Sequence, residues 1–202
     1  MTVSSAQTKR TGRRPGATET RDQIAVAARS SFAELGYERA SLRRIAAAAG
    51  VDPALIAHFY GSKEELFREV MALPPAIADA FARLADGPRE TVGRRLAELI
   101  VGGLENPASR AIVLGRIRSA STHPDAAALV RELVSDDLVR LASALTDDRP
   151  ETRAVLVGSQ LVGIAIARYV VVVEPLASMS PSEVVDVLAP AFQRYLVEPL
   201  TP

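Results

Sequence analysis

The 202-residue chain is 48% hydrophobic, enough for a packed core, and its lack of cysteine excludes a disulfide framework, a thiolate metal site and a cysteine nucleophile. Its 24 basic and 24 acidic residues cancel in total but not in place. Residues 1–50 carry nine basic against four acidic side chains, a net of +5, whereas residues 71–202 carry 13 against 16, a distribution suited to a protein of which only one end meets phosphate.

Met1 to Gly16 is polar, contains Lys9, Arg10, Arg13 and Arg14, and leads into no apolar run that could serve as a signal-peptide core. Residues 1–17 therefore read as a flexible basic arm, able to add phosphate contacts without specifying sequence, and the chain reads as cytoplasmic. From Thr20, paired with Gln23 as a capping box, Ile24, Ala28, Phe32 and Leu35 recur at helical spacing until Gly36. Ser41 opens a second helix, with Leu42, Ile45, Ala46 and Ala49 on one face and Gly50 at its end. Asp52 and Pro53 start a third, which runs to Tyr60. Beyond Gly61, Ser62 and Glu65 form a capping box for a fourth helix, with Leu66, Phe67 and Val70 inward, closed by Pro74 and Pro75.

Further helices are expected at 76–85, 89–105, 108–121, 125–145, 151–173 and 181–197, separated by Gly87-Pro88, Pro107, Pro124 and the stretch 147–150. The apolar stretch 154–173 is interrupted by Ser159, Gln160 and Arg168 and reads as a buried helix of a soluble protein rather than a membrane span. The last helix begins with Ser180, Pro181 and Glu183, and Pro190 should kink it. Nothing alternates with period two for long. The expected fold is all-α, with about nine or ten helices: an N-terminal three-helix helix-turn-helix DNA-binding domain at 18–72, its helix-turn-helix at 41–60, and a larger helical ligand-binding and dimerisation domain at 73–202.

Two short helices joined by Ala49-Gly50-Val51 form the helix-turn-helix arrangement, whose second helix enters the major groove while the first crosses the backbone. At about eight residues each they would not persist alone in water, so the flanking helices must pack around them. A single recognition helix reads few bases, which implies a homodimer on a palindromic double-stranded DNA site with half-sites about 34–36 Å apart or a multiple of that.

The segments Gly36-Tyr37, Ser41-Leu42-Arg43-Arg44-Ile45-Ala46, Ala49 to Ile56 and His58 to Leu66 together resemble the tetracycline-repressor (TetR) family over roughly residues 18–70. The resemblance implies backbone contacts by Ser41, Arg43 and Arg44, a groove-facing set of Pro53, Ala54, Leu55, His58 and Phe59, and a phosphate contact by Lys63 at a helix N-terminus. Ala57 stands where a phosphate-binding tyrosine is frequent, and Phe59 where tyrosine often precedes phenylalanine, so base recognition should lean on His58, backbone amides and the apolar Ala54 and Leu55. Tyr60 reads as packing. The resemblance further implies release by a small-molecule effector held among the middle helices, with Arg116, Arg118, Gln160 and Arg168 as candidate polar lining. It also implies a dimer interface on the last two long helices, here Ser159, Gly163, Ala167, Val184 and Leu188.

No nucleophile elbow, phosphate-binding glycine loop or metal-ligand cluster appears, so neither an enzyme nor a cofactor or metal is expected. A protein-only adaptor would leave the basic head unexplained.

Overall fold

The computed structural model describes residues 16–200, and no strand occurs among the described residues. Helices α1 (Ala17–Arg39), α2 (Leu42–Ala49), α3 (Pro53–Tyr60) and α4 (Lys63–Val70) form a head. The body contains α5 (Pro75–Arg83), α6 (Val92–Glu105), α7 (Pro107–Ala120), α8 (Pro124–Glu132), α9 (Val139–Leu145), α10 (Pro150–Ile166) and α11 (Pro181–Val197). The expected basic arm lies almost wholly outside the described residues.

Most start signals act as expected. Ser62 Oγ accepts from the Glu65 amide at 3.1 Å while Glu65 Oε2 accepts from the Ser62 amide at 2.8 Å, and Ser180 with Glu183 repeats the arrangement on α11. Thr20 does not cap. α1 begins a turn earlier, because nothing at residues 17–19 opposes a helix and the Thr20 amide donates to Gly16 O at 3.2 Å. Gly36 interrupts α1 at φ 72°, turning Tyr37 so that its ring stacks on Phe32 and meets Phe67 edge-on at 5.2 Å.

Two further expectations change. The helix expected at 125–145 is divided into α8 and α9 by a π-helical segment, Leu133–Leu138, for which the sequence carries no punctuation. The helix expected at 151–173 passes into a second π-helical segment, Ala167–Val171, and ends at Val172, which is left-handed at φ 59°. The 22-residue span Pro150–Val171 is long and apolar enough to cross a membrane; its most apolar 18-residue window has a mean hydropathy of 1.8, and 28% of that window is buried in the protomer. The expected burial thus holds for one face, which carries Ala154, Val157, Leu161 and Ala165, while Val155 is 57% exposed.

The described residues form two cores. The body core centres on α6 and α11, joined by α7, α9 and α10. Val184 and Leu188, expected at a dimer contact, belong to this core instead, because the apolar stripe of α11 faces α6 and leaves Val187 outward. The α6–α11 approach is so close at Gly93 that a Cβ there would lie 2.4 Å from Gln193 N and 2.5 Å from Ala189 O. Backbone cannot move aside as a side chain can, so Gly93→Ala should cost about 2–3 kcal/mol, read as a lowered urea midpoint.

The head core comprises Ile24, Phe32, Tyr37, Ile45, Ile56, Leu66, Phe67 and their neighbours, and it also takes in Ala126 and Leu129 of α8. The expected boundary near residue 72 therefore separates the chain but not the packing.

Candidate nucleic-acid interface

The turn between α2 and α3 is fixed by its own backbone. Gly50, at φ 67°, donates to Ala47 O at 3.2 Å, and Val51 N–H donates to Ala46 O at 3.0 Å, closing α2. Asp52 Oδ1 then accepts from the Ala54 amide at 2.8 Å and opens α3, with Pro53 at the first helical position. Ile45 and Ala46 pin α2 to the head core, and Ile56 and Tyr60 pin α3. Tyr60 is packing, as expected: its ring is buried and its hydroxyl donates to Arg21 O at 2.8 Å.

With those residues inward, Pro53, Ala54, Leu55, Ala57 and His58 are left exposed. That face offers small apolar groups and one imidazole at the width of a single helix, which suits the edges of bases in a major groove. Arg43 and Arg44 are exposed on α2, and Ser41, also exposed, accepts from the Arg44 amide at 3.3 Å. Phe59 departs from the expected groove-facing set. It is half-buried against the head core, with the His58 ring edge-on at 5.1 Å, and so supports the helix end from inside.

Lys63 opens α4, but its ammonium rests 4.2 Å from the centre of the Tyr37 ring, and partial burial lowers its pKa. Of the amides that open α4, that of Glu65 is engaged in the capping box with Ser62.

α7 ties head to body. Arg116 is buried, and its guanidinium donates to Met71 O at 2.6 Å and Leu129 O at 3.3 Å, its pKa pushed down to about 10 by burial. Arg118 donates to Ala33 O, and Ser119 Oγ accepts from the Tyr37 amide at 2.9 Å. The opposite end of α7 contributes Ser109 and Val113 to a cavity of about 330 Å³, whose walls include Ile77 and Phe81 of α5, Leu99 and Leu104 of α6, and Leu161 of α10. One helix thus runs from cavity wall to head.

Comparison with known proteins fits this geometry. Residues 24–70 match the model of bacterial regulatory proteins of the tetR family, and residues 90–196 match the tetracyclin repressor-like C-terminal domain. The chain belongs to the TetR family. A TetR-family regulator from Streptomyces coelicolor is 36% identical, with a TM-score of 0.62 over 92% of this chain and 99% of that one. The fatty acid degradation regulator FadR of Bacillus halodurans shares the fold at 18% identity, with a TM-score of 0.67 over 91% of this chain and 97% of its own. Among curated proteins, the transcriptional repressor AcnR of Corynebacterium efficiens is 42% identical over 98 residues, 48% of this chain. That match spans 46% of the AcnR chain, so it falls short of half the relative's length.

Within this TetR-family chain, the polar residues expected in a ligand pocket serve other ends. Arg116 and Arg118 hold the head, and Arg168 donates to Leu176 O and pairs with Glu105 at 3.3 Å. Gln160 is half-buried and is not among the cavity's lining residues. An arginine on an apolar stretch suggests a ligand contact, but a buried guanidinium needs several acceptors and here finds them in protein carbonyls. The residues that do line the cavity escape sequence reasoning, since apolar side chains such as Phe81 and Val113 look like any core. The adjacent glycines Gly102 and Gly103 inside α6 are the one available signal.

Proposed function

We propose that the protein is a cytoplasmic, homodimeric transcriptional repressor that holds a palindromic operator through α3 and leaves it when a small-molecule effector occupies the cavity beside α5, α6 and α7. The observation carrying this reading is the double duty of α7: Ser109 and Val113 face the cavity while Arg116, Arg118 and Ser119 grip the head. An effector shifts the DNA equilibrium only if it binds better to a conformer whose two recognition helices no longer match the half-sites. A rigid helix fastened at both ends gives it the means. Repression, rather than activation, is supported by the AcnR relatives, which are repressors.

A second copy is called for by the outward faces of α10 and α11. Val155 and Val187 are 57% and 63% exposed there, and Ser159 and Gly163 keep the α10 surface low. The dimer contact is thus assigned to Val155, Ser159, Gly163, Ala167 and Val187.

The test is selection of fragments from the source genome by the purified protein at low and moderate salt. Recovery of one palindromic site is expected. Recovery of no fragment at either salt would overturn the reading. On the selected site, Arg44→Ala should weaken binding about tenfold and reduce the slope of log affinity against log salt by about one, because one phosphate loses its cation. An unchanged slope would remove Arg44 from the interface.

A further inference from the structure

Helical glycines in this fold have visible packing reasons at Gly93, Gly115 and Gly158. A Cβ would meet Gln193 N at 2.4 Å in the first case, Met71 Sδ at 2.8 Å in the second and Val134 Cγ2 at 2.8 Å in the third. Gly102 and Gly103, consecutive within α6, have none: a Cβ at either meets nothing within 4 Å, and neither lies at positive φ. Glycine is the poorest helix former after proline, so two in succession weaken α6 with no packing gain. Gly163 shares that openness but sits on the outward face of α10 assigned to the partner copy. Both Gly102 and Gly103 line the 330 Å³ cavity, where their missing side chains leave bare helix backbone as part of its wall.

The rest of that wall fixes the chemistry. Aromatic and aliphatic side chains such as Phe81, Leu99 and Leu161 dominate, with Asn106 and Ser109 supplying polar atoms. Among the described residues Glu98 is the one charged residue lining it, already within 3.8 Å of Arg94. An anion entering would give up its hydration beside a carboxylate, with no lining cation to replace the water.

We propose that Gly102 and Gly103 are specificity-determining residues: they form the surface on which an uncharged, mainly apolar effector of about three rings lies, and they set its size limit. This rests on the cavity being the effector site, as the proposed function has it.

The test uses the full-length protein and two fluorescent probes of one skeleton, neutral N-phenyl-1-naphthylamine and anionic 1-anilinonaphthalene-8-sulfonate. The neutral probe should bind saturably, and the sulfonate at least about tenfold more weakly. Gly103→Leu should weaken the neutral probe at least about tenfold by filling its space. Gly102→Ala and Gly103→Ala add only a methyl in open space, so each should raise Tm by roughly 2–4 °C while weakening the probe severalfold. A purely structural role for these glycines would not give tighter folding with poorer binding. If Gly103→Leu fails to fold, the two alanine variants decide between the outcomes. Absence of neutral-probe binding to the parent, sulfonate binding as tight as neutral, or alanine and leucine variants that bind unchanged would each overturn the proposal. No DNA enters these titrations, so they test the cavity alone. A separate measurement of operator affinity with saturating neutral probe tests release, and probe binding without release would count against the proposed function while leaving the glycine surface standing.

Discussion

Ala54→Glu is expected to lower operator affinity at least about a hundredfold while shifting Tm by no more than about 2 °C. Ala54 is exposed and lies in the first turn of α3, the end that a recognition helix presents to base edges. A carboxylate there cannot clash with the head core, whose contacts come from Ile56 and Tyr60 on the opposite face. It is also favourably placed at a helix N-terminus, so the fold has no reason to weaken. Against DNA the same charge faces two rows of phosphates and occupies the space of a base contact. The measurement pairs fluorescence anisotropy on a labelled operator with a thermal melt of the free protein. Operator affinity within about threefold of the parent would mean that α3 does not enter the groove.

Much of this interface is legible in the sequence because it is specified locally. Ser41, Asp52 and Ser62 act through hydrogen bonds that span two or three residues, and Gly50 and Gly61 through their own backbone angles. Period and punctuation therefore place α2, α3 and the start of α4 nearly to the residue, whereas α4 stops at Val70, short of the Pro74 and Pro75 expected to close it. What is not legible depends on distant partners. The helical spacing of Val184 and Leu188 says that α11 has an apolar face, but only the approach of α6 at Gly93 decides that this face closes the protomer rather than the dimer. Phe59 reads as a groove residue from its position in the motif, yet its ring turns to the head core. The two π-helical segments add a residue per turn without any breaker residue, so no pattern of glycine or proline could announce them. Arginine is the most misleading residue type, since a guanidinium that binds a ligand and one that binds protein carbonyls look alike until the acceptors are located.

Arg153 illustrates that last point and carries the largest expected stability effect. Near the start of α10, close to Pro150 and Glu151, it is only 2% exposed. Its guanidinium donates to Asp148 O at 2.6 Å, Tyr195 O at 2.7 Å, Glu198 O at 3.0 Å and Asp148 Oδ2 at 2.6 Å, joining the start of α10 to the end of α11. Arg153→Leu keeps much of the bulk but strands these acceptors, and it should cost about 3–5 kcal/mol, read as a lower urea midpoint. Arg153→Lys should recover less than half of that, because an ammonium donates from one point and cannot span acceptors both before α10 and at the end of α11. The Arg153 hydrogen bond, followed by Arg149, holds the Asp148 carboxyl below its ordinary pKa. A carboxylate lowered in the folded state stabilises the fold fully above its unfolded pKa and progressively less as pH falls through the folded value. The parent should therefore lose stability on acidification below about pH 4, and Arg153→Leu should lose less over the same interval. Equal acid sensitivity in the two proteins would mean that the Arg153–Asp148 pair adds nothing to folding. Because α10 and α11 also carry the exposed valines assigned to the partner copy, the same variant should dissociate to monomers at higher protein concentration than the parent, a shift that sedimentation velocity would register.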